Sequence, residues 1–416
     1  MSRKLSYLLT LLLLIVSVAP AFAQEPDAAN RSIFLPLISG SGQATSSTDT
    51  DSVEENLTEE GAAVEAAHAD NMGLVFVSTN ANDLVRGNEV VMYRRASNGT
   101  LTVTGRFPTG GQGLGAGLGS QGTVVLSDNG RWLFVVNAGS NEISVFAVQN
   151  AALILTDKVA SGGMRPTSLT VRKNLLYVLN AGDPGNITGF KLNKDGKLAA
   201  LANSTRWLSN NGSGVAPAPA QVSFSPDGEN LVVSERATNL LDLYNVDKNG
   251  LVKSSTVVNS AGITPFGFAF AKGNTLVVSE AFGGATNASA SSSYRLDDGQ
   301  LKLVSASVPT GQTAACWIVI AGNGKFAYTT NAGSASLSLY AVGHKGELTL
   351  LNGRAGDTGA GTGPTDAAVS QNGRWLYALS PRSQNVVGFG VQENGSLNNL
   401  GSFGGLPTTA AGIAAW

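Results

Sequence analysis

Two glutamates stand where a repeated pattern of this chain otherwise has asparagine or serine. Glu235 and Glu280 each end a short apolar run, whereas the five other runs of this kind end in Asn or Ser. A glutamate can exchange a proton with a bound molecule, and a nearby guanidinium can hold an anionic group through paired hydrogen bonds. We therefore predict that Glu235 and Glu280 are catalytic. The predicted substrate-binding residues are Arg165, Gln221, Arg236, Trp317 and Asp366.

Each of these residues also has a structural interpretation. Asparagine at the end of a strand commonly satisfies backbone groups in a turn, which explains Asn137 and Asn180 better than chemistry does. For the two glutamates, chemistry and a solvated rim are equal alternatives. Trp317 is either a stacking surface or a packing residue, and Cys316 reads as a small buried hydrophobe.

Composition excludes several other kinds of site. One cysteine rules out intramolecular disulfides and thiolate clusters, and two histidines (His68 and His344) argue against a histidine metal site. No phosphate-binding loop or serine–histidine motif is present. A net charge of −2 argues against a nucleic-acid partner. No cofactor is predicted. Carboxylates at the channel could ligate Ca²⁺, so a bound Ca²⁺ stays an alternative.

The elements that position these residues come from a repeat, which is the strongest signal in the chain. Seven apolar runs rich in β-branched and aromatic residues read as buried strands. They begin at Leu74, Trp132, Leu175, Leu231, Leu276, Phe326 and Trp375.

Each run belongs to a unit of four antiparallel strands, about 45–50 residues long, which is the length of one propeller blade. Asn-Gly or Asp-Gly pairs such as Asn98-Gly99 supply the positive φ angles of tight hairpins. The first unit lacks a leading strand, and an orphan strand lies at residues 406–416. The sequence therefore predicts an all-β, seven-bladed β-propeller whose C-terminal strand completes the first blade.

The turns also predict where a site would lie. The tight hairpins share one face of the ring, so the long connections emerge on the other, which we call the long-loop face. These connections span residues 108–120, 202–218, 283–291 and 353–363. Sites favour long loops on a rigid scaffold, so we expect one on the long-loop face over the central channel. Arg382 and His344 are expected to lie outside it.

The N-terminal part differs in composition from the repeats. Residues 1–23 carry Arg3 and Lys4, an apolar stretch and the cleavage pattern Ala21-Phe22-Ala23, which predicts a signal peptide. An uncleaved membrane anchor is the alternative. Residues 24–71 read as a flexible acidic, Ser/Thr-rich linker, and residues 72–416 as the propeller. The predicted location is secreted or periplasmic, with membrane contact only through the signal segment.

The repeat resembles the Y-V-x-N type of propeller. The stretch Pro219-Ala220-Gln221-Val222-Ser223, followed by Glu235-Arg236-Ala237-Thr238-Asn239, is similar to the lactonase family of seven-bladed propellers. That family includes 6-phosphogluconolactonases and carboxymuconate-cyclising enzymes. The resemblance implies a His–Glu–Arg site at the channel mouth. The family histidine falls on Gln221 here, which cannot be a general base near neutral pH. Glu235 matches the family acid within about one residue, and Arg236 or Arg165 would bind the anion.

Two functions follow as hypotheses, and the residues leave catalysis open. In the first, Glu235 or Glu280 acts on a lactone or carboxylated ring, Arg236 and Arg165 hold the anion, and Gln221 bonds the carbonyl. In the second, a non-catalytic secreted binding or scaffold propeller recognises a ligand or a cell-envelope protein through its long-loop face.

Overall fold

The computed structural model describes residues 73–149, 152–253 and 255–416. The predicted signal peptide (1–23) and linker (24–71) lie outside the described residues. Within the described part, the short helices present could not bridge a lipid bilayer.

Seven antiparallel sheets form the seven blades, numbered in chain order from the one that contains β1. The innermost strand of each blade, which is β29 in blade 1, lines the central channel, and the fourth strand from the channel is outermost. The strands are β1 (Gly73–Ser78), β2 (Glu89–Arg95), β3 (Leu101–Pro108), β4 (Val124–Leu126), β5 (Trp132–Asn137), β6 (Glu142–Val148), β7 (Leu153–Ala160), β8 (Pro166–Arg172), β9 (Leu175–Asn180), β10 (Asn186–Leu192), β11 (Leu198–Ala200), β12 (Arg206–Trp207), β13 (Pro219–Phe224), β14 (Asn230–Glu235), β15 (Leu240–Asn245), β16 (Thr256–Asn259), β17 (Pro265–Ala271), β18 (Thr275–Glu280), β19 (Ala290–Asp297), β20 (Gln300–Pro309), β21 (Ala315–Ala321), β22 (Phe326–Asn331), β23 (Ser336–Val342), β24 (Leu348–Asp357), β25 (Asp366–Val369), β26 (Trp375–Ser380), β27 (Asn385–Val391), β28 (Leu397–Phe403) and β29 (Ala411–Ala415).

Six blades have four strands, and the outer strand of blade 3 is split into β11 and β12, which both pair with β10. Among the described residues, short 3₁₀ helices occupy four connections. Their bounds are Lys272–Asn274, Phe282–Gly284, Gly322–Gly324 and Pro381–Ser383.

The ring closes as the sequence predicts. The C-terminal strand β29 pairs antiparallel with β1, placing Ala415 opposite Val75 and Ile413 opposite Val77. Trp416 extends the pairing, because its amide donates to the carbonyl of Leu74 at 2.8 Å. Blade 1 is therefore built from both ends of the propeller, and β1, which would otherwise be an edge strand, is paired on both sides.

The core lies between the blades. Every residue of β5 is buried, because both faces of an inner strand are covered by neighbouring sheets. Tyr177 and Leu179 of blade 3, for example, pack with Val222 and Val233 of blade 4. Each pair of adjacent blades shares such a layer, which we call a joint.

Tyrosines in three of the repeated runs form hydrogen bonds to the outer hairpin of the following blade. Tyr177, Tyr328 and Tyr377 each donate a hydroxyl hydrogen bond of 2.7–2.8 Å to a glycine carbonyl. For Tyr377 the acceptor is Gly99, which adopts a φ of +87° and has no room for a β-carbon beside Trp375. Gly99 thus allows the tight turn of the Asn-Gly hairpin and also accepts the hydrogen bond that joins blade 7 to blade 1.

Candidate functional site

Glu235 lies in the joint between blades 3 and 4, and its side chain is wholly buried. Its carboxylate accepts hydrogen bonds from the Ser209 amide (3.0 Å), the Ser209 hydroxyl (2.6 Å) and the Thr238 hydroxyl (2.5 Å). Ser209 comes from the long connection between the two blades. The structure therefore places Glu235 beneath the long-loop face and away from the channel.

A second carboxyl, missed by sequence analysis, lies beside Glu235. Burial, together with the charge of the adjacent Glu235, raises the pKa of Asp242 to about 8. Two buried carboxyls this close cannot both ionise without a large cost. Asp242 therefore keeps its proton at neutral pH.

Glu280 is equally buried, in the joint between blades 4 and 5. Its carboxylate accepts from the amide of Gly262 (2.8 Å) and from the hydroxyls of Ser292 and Ser307 (2.5 and 2.7 Å). Burial raises the pKa of Glu280, while these hydrogen bonds act in the opposite direction. Both of its oxygens are engaged within the chain.

The asparagines at the equivalent strand ends do the same structural work. Asn137 donates to Ser144 at 2.8 Å and Asn331 donates to Ser338 at 2.9 Å. In each case the partner lies on the third strand of the same blade, as Ser292 does for Glu280. In blades 2, 5 and 6, the strand-end side chain therefore bonds to the third strand whether it is Asn or Glu.

Gln221 bridges two blades. Its amide nitrogen donates to the carbonyl of Phe268 at 2.9 Å, and its amide oxygen accepts from the amide of Phe268 at 2.7 Å. At the same strand position in blade 3, Ser168 accepts from Val222 of blade 4 at 3.1 Å. We call these contacts inner bridges.

Asp366 forms the inner bridge from blade 7 to blade 1. Its two oxygens accept from the amides of Ala367 (2.8 Å) and Ile413 (3.3 Å). Burial raises the pKa of Asp366 to about 8, although both backbone hydrogen bonds lower it. The carboxyl is therefore neutral at pH 7 and sits where the ring closes.

Trp317 is 5% exposed and contacts a segment that fills the channel. Its indole nitrogen donates to the carbonyl of Ser120 at 2.8 Å. We call residues 117–122, from the long connection between blades 1 and 2, the plug segment. The Trp317 ring also packs on Phe266, with ring centroids 5.0 Å apart.

The long-loop face holds two cavities on either side of this connection. The mouth cavity, of about 410 Å³, is lined by the plug segment together with Trp317, Thr365 and Arg382. The side cavity, of about 490 Å³, is lined by Met164, Arg165 and Asp183 among mostly apolar groups. No histidine, aspartate or glutamate is among the described residues that line the mouth cavity.

Arg236 contacts one lining residue of each cavity. Its guanidinium stacks on Phe266 with its carbon 4.8 Å from the ring centroid, and its Nε donates to the carbonyl of Ala218 at 3.0 Å. A β-carbon added to Gly119 of the plug segment would lie 3.0 Å from Nη1 of Arg236. Burial lowers the pKa of Arg236, and the nearby charge of Arg165 acts in the same direction.

The three arginines of this face lack acidic partners. In the described part of the chain, none of Arg165, Arg236 and Arg382 forms an ion pair. Arg165 and Arg236 lie close enough for their charges to repel one another, and like charges without a counter-charge favour an anion nearby. The structure therefore places Trp317 at the mouth cavity and Arg165 at the side cavity, while Arg236 contacts Gly119 of the one and Ala218 of the other. Glu235, Glu280, Gln221 and Asp366 are instead engaged in joints and inner bridges.

Comparison with known proteins gives the family. The profile described as "Lactonase, 7-bladed beta-propeller" matches residues 86–209, 185–313 and 287–410. The chain belongs to this lactonase family of propellers. No curated protein matches its sequence.

Solved structures share the fold at low identity. A candidate 6-phosphogluconolactonase from Bacteroides uniformis is 18% identical, with a TM-score of 0.66, over 82% of this chain and 99% of the other. A protein from Lactobacillus plantarum is 19% identical (TM-score 0.67, 83% and 99%). A periplasmic gluconolactonase from Pseudomonas aeruginosa is 17% identical (TM-score 0.64, 83% and 99%).

In this lactonase-family propeller, sequence analysis misjudged Arg382 and missed Gln121 as well as Asp242. The expectation that Arg382 lies outside the site is wrong, because the connection after β26 brings it to the mouth cavity. Gln121 was missed, since its partner Ile318 is far away along the chain. The lack of a side chain at Gly267, in register with Gln221, was the available signal. Among the described residues, no group of three His, Cys, Asp or Glu side chains could hold a metal ion.

Proposed function

We propose that the long-loop face binds a small lactone, or the hydroxy acid formed when that lactone opens, in the mouth cavity. The observation behind this proposal is the set of arginines without acidic partners beside an aromatic wall. Arg382 lines the cavity and Arg236 borders the plug segment. A guanidinium can hydrogen-bond a carboxylate through two nitrogens and can also donate to a lactone carbonyl.

The size and chemistry of the cavity suit such a ligand. About 410 Å³ lies in the lower part of the range for small-molecule sites. Trp317 supplies an apolar wall for a ring, and family membership supports a lactone as the ligand class. The Pseudomonas aeruginosa neighbour is a gluconolactonase, which makes gluconate and its lactone the first compounds to test.

The geometry supports binding better than proton transfer. Glu235 and Glu280 have their oxygens engaged by internal donors, and Gln221 is bonded on both sides of its amide. A general base must reach the proton that it abstracts. We therefore place ligand binding, and not acid–base catalysis, at the centre of the proposal.

The test is calorimetric titration of gluconate into the purified full chain. Arg382→Gln is expected to weaken binding at least tenfold, whereas Arg354→Gln, which removes an exposed guanidinium paired with Asp357, leaves it unchanged. Equal affinity in wild type and Arg382→Gln would overturn the proposed site. Opening of gluconolactone above its spontaneous rate, lost in Glu235→Gln, would instead assign acid–base chemistry to the buried pair.

We also propose that the protein acts outside the cytoplasm, in the periplasm or secreted. The predicted signal peptide supports this location, and one structural neighbour is periplasmic. Fractionation of the native host, followed by N-terminal sequencing of the mature protein, tests it. A mature chain that starts near Gln24 is expected, and an intact chain in the cytoplasm would contradict the proposal.

One observation favours a protein partner as a second candidate. Leu84 and Val85, in the connection after β1 on the long-loop face, are 95% and 93% exposed. Exposed apolar groups often mark interaction surfaces. Crosslinking to purified cell-envelope proteins should be lost in a Leu84→Ser/Val85→Ser double variant and retained in Arg382→Gln. Equal crosslinking in the double variant would exclude this surface.

A further inference from the structure

The plug segment crosses the channel and contacts blades on several sides. Ser168 of blade 3 donates to the carbonyl of Gln121 at 2.6 Å, and the Gln121 amide donates to Ala220 of blade 4 at 3.1 Å. Trp317 of blade 6 bonds to Ser120. Channel-facing groups of three blades are thereby joined to a single short segment.

The side chain of Gln121 forms the inner bridge of the joint between blades 5 and 6, although Gln121 itself lies in the connection between blades 1 and 2. Its amide nitrogen donates to the carbonyl of Ile318 at 2.8 Å, and its amide oxygen accepts from the amide of Ile318 at 3.2 Å. Gln221 makes the same pair of bonds with Phe268. Ile318 and Phe268 hold the same strand position in successive blades.

Gly267 explains why Gln121 is needed there. Gly267 is in register with Gln221 but has no side chain to reach Ile318 of the following blade. A β-carbon on Gly267 would lie 2.1 Å from Oε1 of Gln121. The missing side chain therefore provides the space that the amide of Gln121 fills.

We propose that Gln121 anchors the plug segment as the floor of the mouth cavity and thereby limits the size of the ligand. This inference rests on the proposed function. Residues 117–120 line the mouth cavity, so their position sets its depth. Gln121 does not line the cavity, and it acts as a positioning residue. Without its amide, the floor is held by backbone contacts and Trp317, and the cavity extends into the channel.

The single cysteine of the chain reports on the plug segment independently of any ligand. Cys316 packs with Ala220, Phe266 and Trp317, next to the strand residues that the plug segment covers. Burial raises the pKa of its thiol to about 12. Because the thiolate is the reactive form, maleimide labelling is slow while the plug segment is in place. Opening the plug segment is expected to speed labelling at least tenfold.

The experiment compares Gln121→Ala with Gln221→Ala, which removes a matching amide outside the plug segment. Gly267→Ala is a second variant that displaces Gln121 by steric contact. In both plug variants we expect faster Cys316 labelling. We also expect at least a tenfold lower preference for gluconate over lactobionate, a gluconate that carries an additional sugar. In Gln221→Ala neither quantity should change.

Wild-type labelling in both plug variants would overturn the anchoring role. Faster labelling with an unchanged ligand preference would overturn the limit on ligand size. If wild type binds neither acid, the proposed function fails, and the labelling rates still decide whether Gln121 anchors the plug segment.

Discussion

Charged side chains of the joints and of the long-loop face have opposite surroundings. In the joints, Glu280 has both carboxylate oxygens bonded by groups of its own chain. On the long-loop face, Arg236 and Arg382 have no acidic partner among the described residues. A buried polar group with all of its partners stabilises the fold, whereas a charged group without a counter-charge remains available to a ligand. Whether a side chain's polar atoms are already bonded within the chain therefore distinguishes structural residues from ligand-binding residues better than residue type does.

The largest loss of stability on substitution is expected at Glu280. Glu280→Ala leaves the hydroxyls of Ser292 and Ser307 and the amide of Gly262 without their acceptor, which should cost about 3 kcal/mol of unfolding free energy. Glu280→Gln keeps one acceptor oxygen and should lose about 1 kcal/mol. Urea denaturation measures both. A stable Glu280→Ala variant that fails to bind gluconate would move Glu280 to the ligand site.

Asp366 makes stability depend on pH. The folded carboxyl keeps its proton up to about pH 8, while the unfolded chain releases it near pH 4. Unfolding therefore releases a proton between these values, so stability falls as the pH rises, by at most about 1.4 kcal/mol per pH unit. Asp366→Asn should flatten this dependence between pH 5 and 8 in denaturant titrations. An identical slope in the variant would show that the carboxyl is ionised in the folded state.

The tyrosine contacts between blades should have a smaller effect. Tyr377→Phe removes the hydroxyl that donates to Gly99 of blade 1 and should cost about 1 kcal/mol. Tyr328→Phe removes the equivalent contact between blades 6 and 7 and should cost about the same amount. Chemical denaturation of the two variants checks this. No loss in either would mean that these hydroxyls are as well bonded by water in the unfolded chain.

The smallest effect on stability is expected at Arg165. Its guanidinium is exposed and bonds only the carbonyl of Ala181 within the described chain, so Arg165→Gln should change the unfolding free energy by less than about 0.5 kcal/mol. Gluconate affinity should fall less than it does in Arg382→Gln, because Arg165 lines the side cavity and not the mouth cavity. A loss of stability comparable with that of Tyr377→Phe would place Arg165 among the structural groups.

The fold could be predicted from the sequence because it depends on local signals that repeat. The apolar runs, the Asn-Gly turns and the orphan C-terminal strand together predict seven blades and their closure, as the pairing of β29 with β1 confirms. Alignment of the repeats also identified which residues end the second strands and which residues lie on the innermost strands. It could not identify their partners, because these belong to neighbouring blades or distant loops. Gln121 and Ile318 are 197 residues apart, and nothing local in the chain indicates that they meet.

Neighbouring residues Glu235 and Arg236 test the account most directly, since Glu235 belongs to a joint and the Arg236 guanidinium lies against Gly119 of the mouth cavity. The measurement is gluconate affinity by calorimetry in Glu235→Gln and Arg236→Gln, with folding of both checked by denaturation. The account predicts wild-type affinity in Glu235→Gln and at least a tenfold loss in Arg236→Gln. Loss of binding in Glu235→Gln, with Arg236→Gln unaffected, would contradict it.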